Sequence, residues 1–482
     1  MPNIIQDPLF IIAIGILFVV GGIIGLRLHP FLALLFAAFV VALLTPDASL
    51  MLYASSKGMG VDAARELVNT HIGLRIAREF GKTCGKIGIL IAMASIIGKC
   101  MLESGGAERI VRSAIKLSGV KYAPATFLGS SFFIGIPVFF DTVFYLMVPL
   151  AKAMAMKIGK NYLLLILSIT AGAAMANSLV PPTPGPLFLI SELNIPIGLM
   201  MVAGIIVGLI TIIAGYAYAA WANKKWPIPL KDSIDAPLQH IESIALQDEK
   251  QLPPLWFALM PILIPVVLIS IKALLNSCNI NGSDSNLIAP FIGAINFCGE
   301  KNLALILGAC SALIMLSIKY KGDKGAMLDS VQTALMSAGI IILITSAGGA
   351  FGGMLQQTGI STRISELTKD YQMALIPLAF LITAIVRTAQ GSATVAMITA
   401  SGILAGMANT VSLEYHQLYI GLAIACGSKL IPWMNDSGFW IVCKMSNLSE
   451  KEVLKTFSPM LTIMGIVGLI VIVIGARLFP LV

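Results

Sequence analysis

Four charged residues lie in stretches of the chain that are otherwise apolar, each within or beside an interruption of the apolar pattern: Asp141, Arg387, Lys429 and Asp436. A charge at the centre of a bilayer costs about 2.5–3.5 kcal/mol on insertion scales, so a charge that persists there predicts a functional site. The two aspartates are candidates to carry a coupling proton or cation, and Lys429 is grouped with them. The alternative is a fixed salt bridge to Lys429 or Arg387, and Lys429 and Asp436 would lie two turns apart on a continuous helix.

Polar and small residues follow Arg387 in the segment RTAQGSATVA. A permanent cation, hydroxyl and amide groups, and a glycine that lets the backbone approach a ligand suit a small hydroxylated carboxylate. The candidate substrate-binding residues here are Arg387, Gln390, Gly391, Ser392 and Thr394. The alternative is that Arg387 only neutralises Asp141 or Asp436. Ser392 has no nucleophile-elbow pattern around it, so no catalytic role is predicted.

Two further segments, PPTPGP at 181–186 and NDSG at 435–438, interrupt apolar spans. Prolines remove backbone donors and clash with preceding carbonyls, so a continuous helix cannot pass through the first segment. Half-helix N-termini favour anionic groups and unwound carbonyls favour cations, although either segment could be only a packing kink. These segments, with the interruption FIGIPVFFDT, add five candidate substrate-binding residues: Thr183, Gly185, Asn435, Ser437 and Gly135.

The amino-acid composition predicts that these residues lie in a membrane protein. Of 482 residues, 57% are hydrophobic and 12% are charged, with a mean hydropathy of +0.90, whereas a soluble protein carries roughly a quarter charged residues. The chain is therefore predicted to be an all-α polytopic membrane protein with roughly ten spans, and 8–26 is read as a retained first span. The net charge of +8 is scattered among short loops, so no nucleic-acid partner is predicted.

Two apolar stretches, 122–150 and 373–408, are broken in the middle and are too short for two full crossings. They are predicted to be re-entrant helical hairpins. Residues 85–110 also align with 339–364 at a constant offset of 254 positions, and Gly185 aligns with Gly438 at an offset of 253. The sequence therefore predicts two copies of a unit made of a span, a hairpin and a broken span.

This pattern divides the chain into four parts: N-terminal spans and a connecting segment at 1–84, a first repeat at 85–221 with its break at 181–186, a cytoplasmic loop and linking spans at 222–330, and a second repeat at 331–482 with its break at 434–439. The loops 222–254 and 319–330 carry lysines, so the positive-inside rule places them in the cytoplasm and the N-terminus outside. The two copies are then inverted, which is typical of secondary transporters. The segment 47–85 does not fit this topology, because it would be external yet carries five basic residues. Either it is an amphipathic segment on the membrane surface, or the number of spans counted there is wrong by one.

Five segments resemble, in order, the signature segments of the gluconate permease family of proton symporters, within the ion transporter superfamily: GK..ESGGAERI, IGIPVFFDTVFYLMVPL, LVPPTPGP, RTAQGSATVAMITASG and NDSGFW. The resemblance runs from about Gly85 to the C-terminus. It implies uptake of sugar acids or related small hydroxy or amino acids across a bacterial inner membrane. It further implies inverted repeats with two hairpins and an elevator-like movement, often as a homodimer.

The chain departs from the family pattern at several candidate positions. Asn177 and Thr183 occupy two positions where the family usually has His, and Trp433 replaces a third. Ser437 stands in place of Pro, Asp141 in place of Glu, and Lys429 is a charge that the family pattern does not include. The carboxylate class and the transport mechanism therefore carry over, but gluconate itself does not.

Together these features predict a proton-coupled symporter of a small organic anion, a gluconate-like sugar acid or another hydroxy or amino acid, working by alternating access. The alternatives are a sodium-coupled carboxylate symporter, a cation/proton antiporter and, disfavoured by the lack of His–carboxylate–Cys groupings, an intramembrane enzyme. The four His are far apart and the seven Cys form no close motif, so no metal and no cofactor are predicted. Cys278 and Cys298 share one loop, which leaves a disulfide open.

Overall fold

The computed structural model describes residues 7–56, 58–232, 252–277, 289–359, 372–408, 413–434 and 436–481, and these ranges are helical, with no β-strand among them. Seven helices in the described ranges are long and apolar enough to cross a membrane, and a bent pair brings the number to eight. The chain is therefore a multi-pass helical membrane protein. That bent pair joins Pro30–Leu44 to Asp47–Ser55 at an angle of 99°.

The helices of the first half, numbered in chain order, are α1 (Pro8–Ile24), α2 (Pro30–Leu44), α3 (Asp47–Ser56), α4 (Val61–Asn69), α5 (Ile72–Glu103), α6 (Gly106–Ser118), α7 (Ala123–Ile134), α8 (Phe140–Ile158), α9 (Tyr162–Leu179), α10 (Pro184–Glu192) and α11 (Ile197–Lys225). Those of the second half are α12 (Leu255–Ser277), α13 (Ala289–Cys298), α14 (Lys301–Lys319), α15 (Lys324–Gln357), α16 (Leu375–Gln390), α17 (Ala393–Ala408), α18 (Leu418–Gly427), α19 (Ser437–Ser446) and α20 (Glu450–Leu478).

The helix order of the first half recurs in the second. A long helix (α5), a closely connected pair (α7 and α8), an interrupted pair (α9 and α10) and a further long helix (α11) correspond to α15, α16 and α17, α18 and α19, and α20. A short 3₁₀ turn comes before the closely connected pair in both places, at Val120–Tyr122 and at Gln372–Ala374.

The two long helices α5 and α15 pack against each other and run in opposite directions. Near one end of the pair, Arg75 Nη1 donates to Gln357 Oε1 over 3.1 Å. Near the other end, Ser330 Oγ donates to Glu103 Oε2 over 2.5 Å. Since the start of each helix meets the end of the other, these corresponding helices are antiparallel.

The interrupted pair α9 and α10 forms the centre of the protein. Within the apolar window of Tyr162–Glu192, 94% of the residues are buried inside the protein, against 28% for Leu255–Lys272 at the periphery. Small residues in α9 allow this close packing: a Cβ atom at Gly172 would overlap the Leu128 carbonyl and the Ser131 hydroxyl of α7.

The structure moves several predicted boundaries. The first interruption covers 180–183, because Pro184 occupies the first turn of α10, where its missing N–H is not needed. The second covers 428–436, since α19 begins at Ser437 behind its N-cap Asp436. Lys429 and Asp436 therefore do not lie two turns apart on one helix. The long helix at the start of the first repeat, which the sequence predicts to begin at residue 85, begins earlier, at Ile72, and 47–71 holds the short helices α3 and α4. Cys278 lies outside the described residues, so the disulfide between Cys278 and Cys298 lies outside them too.

Candidate functional site

A cavity of about 430 Å³ lies where the α7–α8 connection, the α16–α17 turn and the second interruption meet. Its wall brings together seven of the candidate residues: Asp141, Arg387, Ser392, Thr394, Lys429, Asp436 and Ser437. They come from positions almost 300 apart in the chain, so only the fold places them around one space.

Three helices begin at the wall of this cavity. The first residues of α8 line it at Phe140 and Asp141, those of α17 at Ala393 and Thr394, and those of α19 at Ser437 and Gly438. The N-terminus of a helix carries a partial positive charge and unsatisfied N–H groups, which favour anions. The three helix starts therefore contribute a positive electrostatic potential to the cavity.

Arg387 lies in the last turn of α16 and is buried, with an exposed fraction of 4%. The helix ends at Gly391, which has φ = 88° and donates its N–H to the Arg387 carbonyl over 2.9 Å. This left-handed conformation costs glycine little and other residues more. The turn holds the Arg387 side chain at the cavity wall.

Every nitrogen of the Arg387 guanidinium is buried or bonded. Nε donates to the Ser428 carbonyl over 3.0 Å, and Nη2 forms an ion pair with Asp436 Oδ2. Nη1 is buried and has no hydrogen-bond partner. The guanidinium is thus anchored through Nε and Nη2, and Nη1 is left without a hydrogen-bond partner.

Asp436 is held by both of its carboxylate oxygens. Oδ2 binds Arg387, and Oδ1 accepts from the Gly438 N–H over 2.7 Å as the N-cap of α19. An ion pair and a helix N-terminus both stabilise a negative charge. Asp436 therefore serves first as an anchor for Arg387.

Lys429 and Asp141 have no such anchors. Lys429 is 4% exposed, lines the cavity, and forms no salt bridge with a carboxylate in the described part of the chain. Asp141 is exposed at the cavity wall and likewise has no salt bridge to a described cation. The cavity wall thus carries two cations and two carboxylates, and of these four groups Arg387 and Asp436 form an ion pair.

The second interruption contacts the end of α9 beside the cavity. Ser428 Oγ lies 3.4 Å from Ser178 Oγ at the end of α9. On the opposite side of the second interruption, Trp433 Nε1 donates to the Thr388 carbonyl of α16 over 2.8 Å. Trp433, which replaces a family His, therefore ties the second interruption to the helix that carries Arg387.

Four of the described candidate residues do not line the cavity wall: Gly391, which ends α16, and the three that follow here. Thr183 is buried, and its hydroxyl donates to the Asn177 and Val180 carbonyls, which closes the first interruption on itself. Gly185 faces α17, where a Cβ atom would overlap the methyl group of Met397, and Gly135 faces α9 at Ala173 and Ala176. Their small size serves close packing. Asn435 and the side chain of Gln390 lie outside the described residues.

The cavity also contains residues that the sequence interpretation missed. Thr142 and Tyr145 come from α8, Asn177 from α9, and Ser337 from α15. Tyr145 follows Asp141 by one helical turn, a spacing that places both on one face and was available as a signal. Asn177 Oδ1 is buried without a hydrogen-bond partner, whereas Ser337 has no sequence signal at all.

The described residues contain no group of three or more His, Cys, Asp or Glu side chains placed to hold a metal ion. The side chains around the cavity are instead single carboxylates, cations and hydroxyls. Their arrangement suits the binding of a small anion and, at the same time, of one cation or proton.

Comparison with known proteins identifies the family and the fold. The sequence profile described as GntP family permease matches residues 7–478. An uncharacterized permease from Haemophilus influenzae is 30% identical over 98% of this chain and 93% of its own length. A gluconate permease from Pseudomonas aeruginosa is 31% identical over 93% of each chain. The crystal structure of the YdaH transporter from Alcanivorax borkumensis shares the fold, with a TM-score of 0.57 and 15% identity, covering 94% of this chain and 100% of that one.

Proposed function

The chain belongs to the GntP family of permeases, and we propose that it is a proton-coupled symporter of a small hydroxylated organic anion in a bacterial inner membrane. It is a transporter and not an enzyme. The observation that carries the proposal is the convergence of three helix N-termini with Arg387 and Lys429 on one cavity.

The proposed substrate is an anion because Arg387 Nη1 has no hydrogen-bond partner, Lys429 has no salt bridge to a described carboxylate, and three helix N-termini begin at the same cavity. Arg387 Nη1 and Lys429 bind the carboxylate. Thr394 and Ser437 supply hydroxyl partners for a hydroxylated substrate, and Ser392 places the N-terminus of α17 by accepting from the Val395 N–H over 3.3 Å. The cavity volume of about 430 Å³ lies in the usual range for small-molecule sites, about 300–1,000 Å³.

Charge balance supports the coupling of the anion to a proton. The two cations and two carboxylates of the cavity cancel, so a bound monoanion adds one uncompensated negative charge. Such a charge is costly inside a membrane, and a proton that enters with the anion removes the cost. Asp141 is the proposed proton carrier, because Asp436 is already bound by Arg387 and by the start of α19.

The proposed architecture is a pair of inverted repeats, 85–221 and 331–482, each with a re-entrant hairpin and a broken span. The recurring helix order and the antiparallel pair α5 and α15 support it. The first helix of the first repeat, α5, begins at Ile72, and the first helix of the second repeat, α15, begins at Lys324.

The hairpins would be α7–α8 and α16–α17, and each packs against the broken span of the opposite repeat. A Cβ atom at Gly438 would lie 3.1 Å from Phe140 of α8, and Gly185 faces Met397 of α17. Such cross-packing supports alternating access by an elevator-like movement of the hairpins and broken spans against the remaining helices. The family resemblance supports a homodimer.

The proposed topology places 222–254 in the cytoplasm and the N-terminus outside, because one face of the protein carries most of the basic loop and helix-end residues. On that face lie Arg109, Arg112, Lys116, Lys121, Lys157, Lys160, Lys224, Lys225, Lys231, Lys319, Lys321 and Lys324. The opposite face carries fewer, and three of the five basic residues of the segment 47–85 have partners: Arg75 binds Gln357, Arg78 binds Glu66, and Lys82 binds Glu79. These three pairings lower the uncompensated positive charge of that segment.

Uptake into proteoliposomes under separate gradients tests the proposal. Radiolabelled sugar acids, hydroxy acids and amino acids are offered with an inward proton gradient, an inward sodium gradient or neither. We expect accumulation of an organic anion driven by the proton gradient alone. Accumulation driven only by the sodium gradient would identify sodium, and not the proton, as the coupling ion. Uptake that responds to neither gradient would exclude symport.

The variant Arg387→Ala separates organic-anion transport from cation exchange. We expect it to abolish uptake of the anion while the protein remains folded and monodisperse. Proton-coupled cation flux that survives in Arg387→Ala, with no organic-anion uptake in the unmodified protein, would identify a cation/proton antiporter instead.

A further inference from the structure

A second cavity, of about 410 Å³, lies between α6 and α8 at the basic face of the protein. Three cations line it, Arg112 and Lys116 from α6 and Lys157 from α8. The first cavity is formed by the opposite end of α8, so the two sites are separate. Nothing in the proposed transport cycle uses this second cavity.

The helix α6 does not cross the membrane. It follows the end of α5 at Glu103 and precedes α7, and its Ser118 hydroxyl lies 2.5 Å from the Thr126 hydroxyl of α7. Its buried face is apolar, at Ala107, Ile110 and Val111, and its opposite face is charged. At 13 residues α6 is too short to cross a bilayer, and its charged face suits the polar boundary of the membrane.

The wall of the second cavity combines basic and apolar side chains. Arg112 pairs with Glu108 over 2.6 Å, and Lys116 and Lys157 add two positive charges. Ile115, Leu150 and Met154 form the apolar part. A ligand that fits this wall has a negative headgroup and at least one long apolar chain.

The surroundings place this cavity at the lipid boundary. Leu117 is 92% exposed and Tyr122 is 59% exposed, beside the lysines at the end of α6. Exposed aromatic and apolar residues at this level are typical of the interface between the headgroups and the hydrocarbon. Basic pockets between helices on the cytoplasmic side bind the headgroups of anionic lipids.

We propose that the cavity between α6 and α8 is a binding site for an anionic glycerophospholipid, whose phosphate is held by Lys116, Lys157 and Arg112 and whose acyl chain lies along Leu150 and Met154. The bound lipid fixes the base of α8, and α8 carries Asp141 at its other end. This inference stands on the second cavity alone and does not depend on the transported substrate.

Lipid titration followed by native mass spectrometry tests the proposal. The full-length protein is delipidated in detergent and titrated with cardiolipin, phosphatidylglycerol or phosphatidylcholine, and the double variant Lys116→Gln/Lys157→Gln is treated in the same way. A lysine near an anionic lipid contributes a factor of about five in affinity, so we expect the double variant to bind the anionic lipids about thirtyfold more weakly. Phosphatidylcholine should bind both proteins equally weakly.

The matched control is Lys319→Gln/Lys321→Gln, which removes the same charge from the same face at the α14–α15 turn. We expect this control to keep its affinity for the anionic lipids. An equal loss in both double variants would show general surface attraction and overturn the site, as would unchanged affinity in Lys116→Gln/Lys157→Gln.

A third arm distinguishes a lipid from a soluble anion. Inorganic phosphate and glycerol phosphate, which carry the headgroup charge without acyl chains, are added as competitors. We expect them to displace the lipid poorly, because the apolar wall contributes to binding. Complete displacement at concentrations comparable to the lipid would overturn the assignment to a phospholipid. The variant Met154→Gln, which alters only the apolar wall, should weaken lipid binding without weakening phosphate binding.

Discussion

Arg387 and Asp436 form a buried ion pair that joins the end of α16 to the start of α19, across 49 positions of the chain. The same guanidinium holds the Ser428 carbonyl at the other end of the interruption. The interrupted segment 428–436 is thus fixed at both ends by one side chain. This relationship makes Arg387 a structural anchor and a candidate ligand at the same time.

A double-mutant cycle tests the anchoring role. We expect Arg387→Gln and Asp436→Asn each to lower the unfolding free energy by about 3–5 kcal/mol, because either change leaves a buried charge without its partner. The double variant should be less destabilised than the sum of the two, since neither charge is then left alone. Thermal unfolding in detergent measures this. Strictly additive losses would show that the two side chains do not act as a pair.

Replacement of Asp141 tests proton coupling. We expect Asp141→Asn to lose accumulation driven by a proton gradient while it keeps solute counterflow, because the neutral side chain still permits exchange of bound substrate. Asp141→Glu, which restores the residue type usual in the family, should keep both activities. Gradient-driven accumulation in Asp141→Asn would move the coupling function to another group.

Replacement of Lys429 tests the second cation. We expect Lys429→Met to raise the KM for the anion about 10- to 100-fold, because a hydrogen bond to a charged group contributes about 1.5–3 kcal/mol. Lys429→Arg should retain much of the affinity. Lys444→Met in α19, which removes an exposed lysine away from the cavity, serves as the control. An unchanged KM in Lys429→Met would remove this residue from the substrate site.

Two glycines, Gly172 in α9 and Gly129 in α7, predict different stability effects. A Cβ atom at Gly172 would lie 2.8 Å from the Phe132 nitrogen and would overlap the Leu128 carbonyl, whereas Gly129 has nothing within 4 Å. We expect Gly172→Ala to cost about 1–3 kcal/mol or more, because the backbone of α7 must move. Gly129→Ala should be neutral or slightly stabilising, since alanine favours the helix. Unfolding temperatures that change equally in both variants would contradict the close packing of α7 on α9.

Cysteine labelling tests the proposed topology, including the segment 47–85. In a cysteine-free background, we expect Asn69→Cys to react with a membrane-impermeant maleimide added outside intact cells. Lys321→Cys should react only after the membrane is permeabilised. Both residues are exposed in the structure. The reverse labelling pattern would show that the protein has the opposite orientation in the membrane. Labelling of both residues from outside would contradict the proposed number of spans.

The sequence by itself determined the membrane class, the interruptions and the internal alignment, because these depend on local composition and on residues close together in the chain. The prolines of 181–186 prevent one continuous helix from passing through the segment, and a charge such as Asp141 in an apolar run is anomalous before any fold is known. The repeated spacing of Gly185 and Gly438 is likewise visible without coordinates, although its use in close packing is not.

Only the tertiary structure decided which of these residues meet. Arg387 had two carboxylates as candidate partners, and packing of α16 against the second interruption selected Asp436. Thr183 and Gly185 turned inward to close and pack the first interruption, while Tyr145, Asn177 and Ser337 joined the cavity wall from three different helices. The physical reason is that helical periodicity specifies which face of an element is apolar, whereas the distance between two elements depends on how all of their side chains pack together.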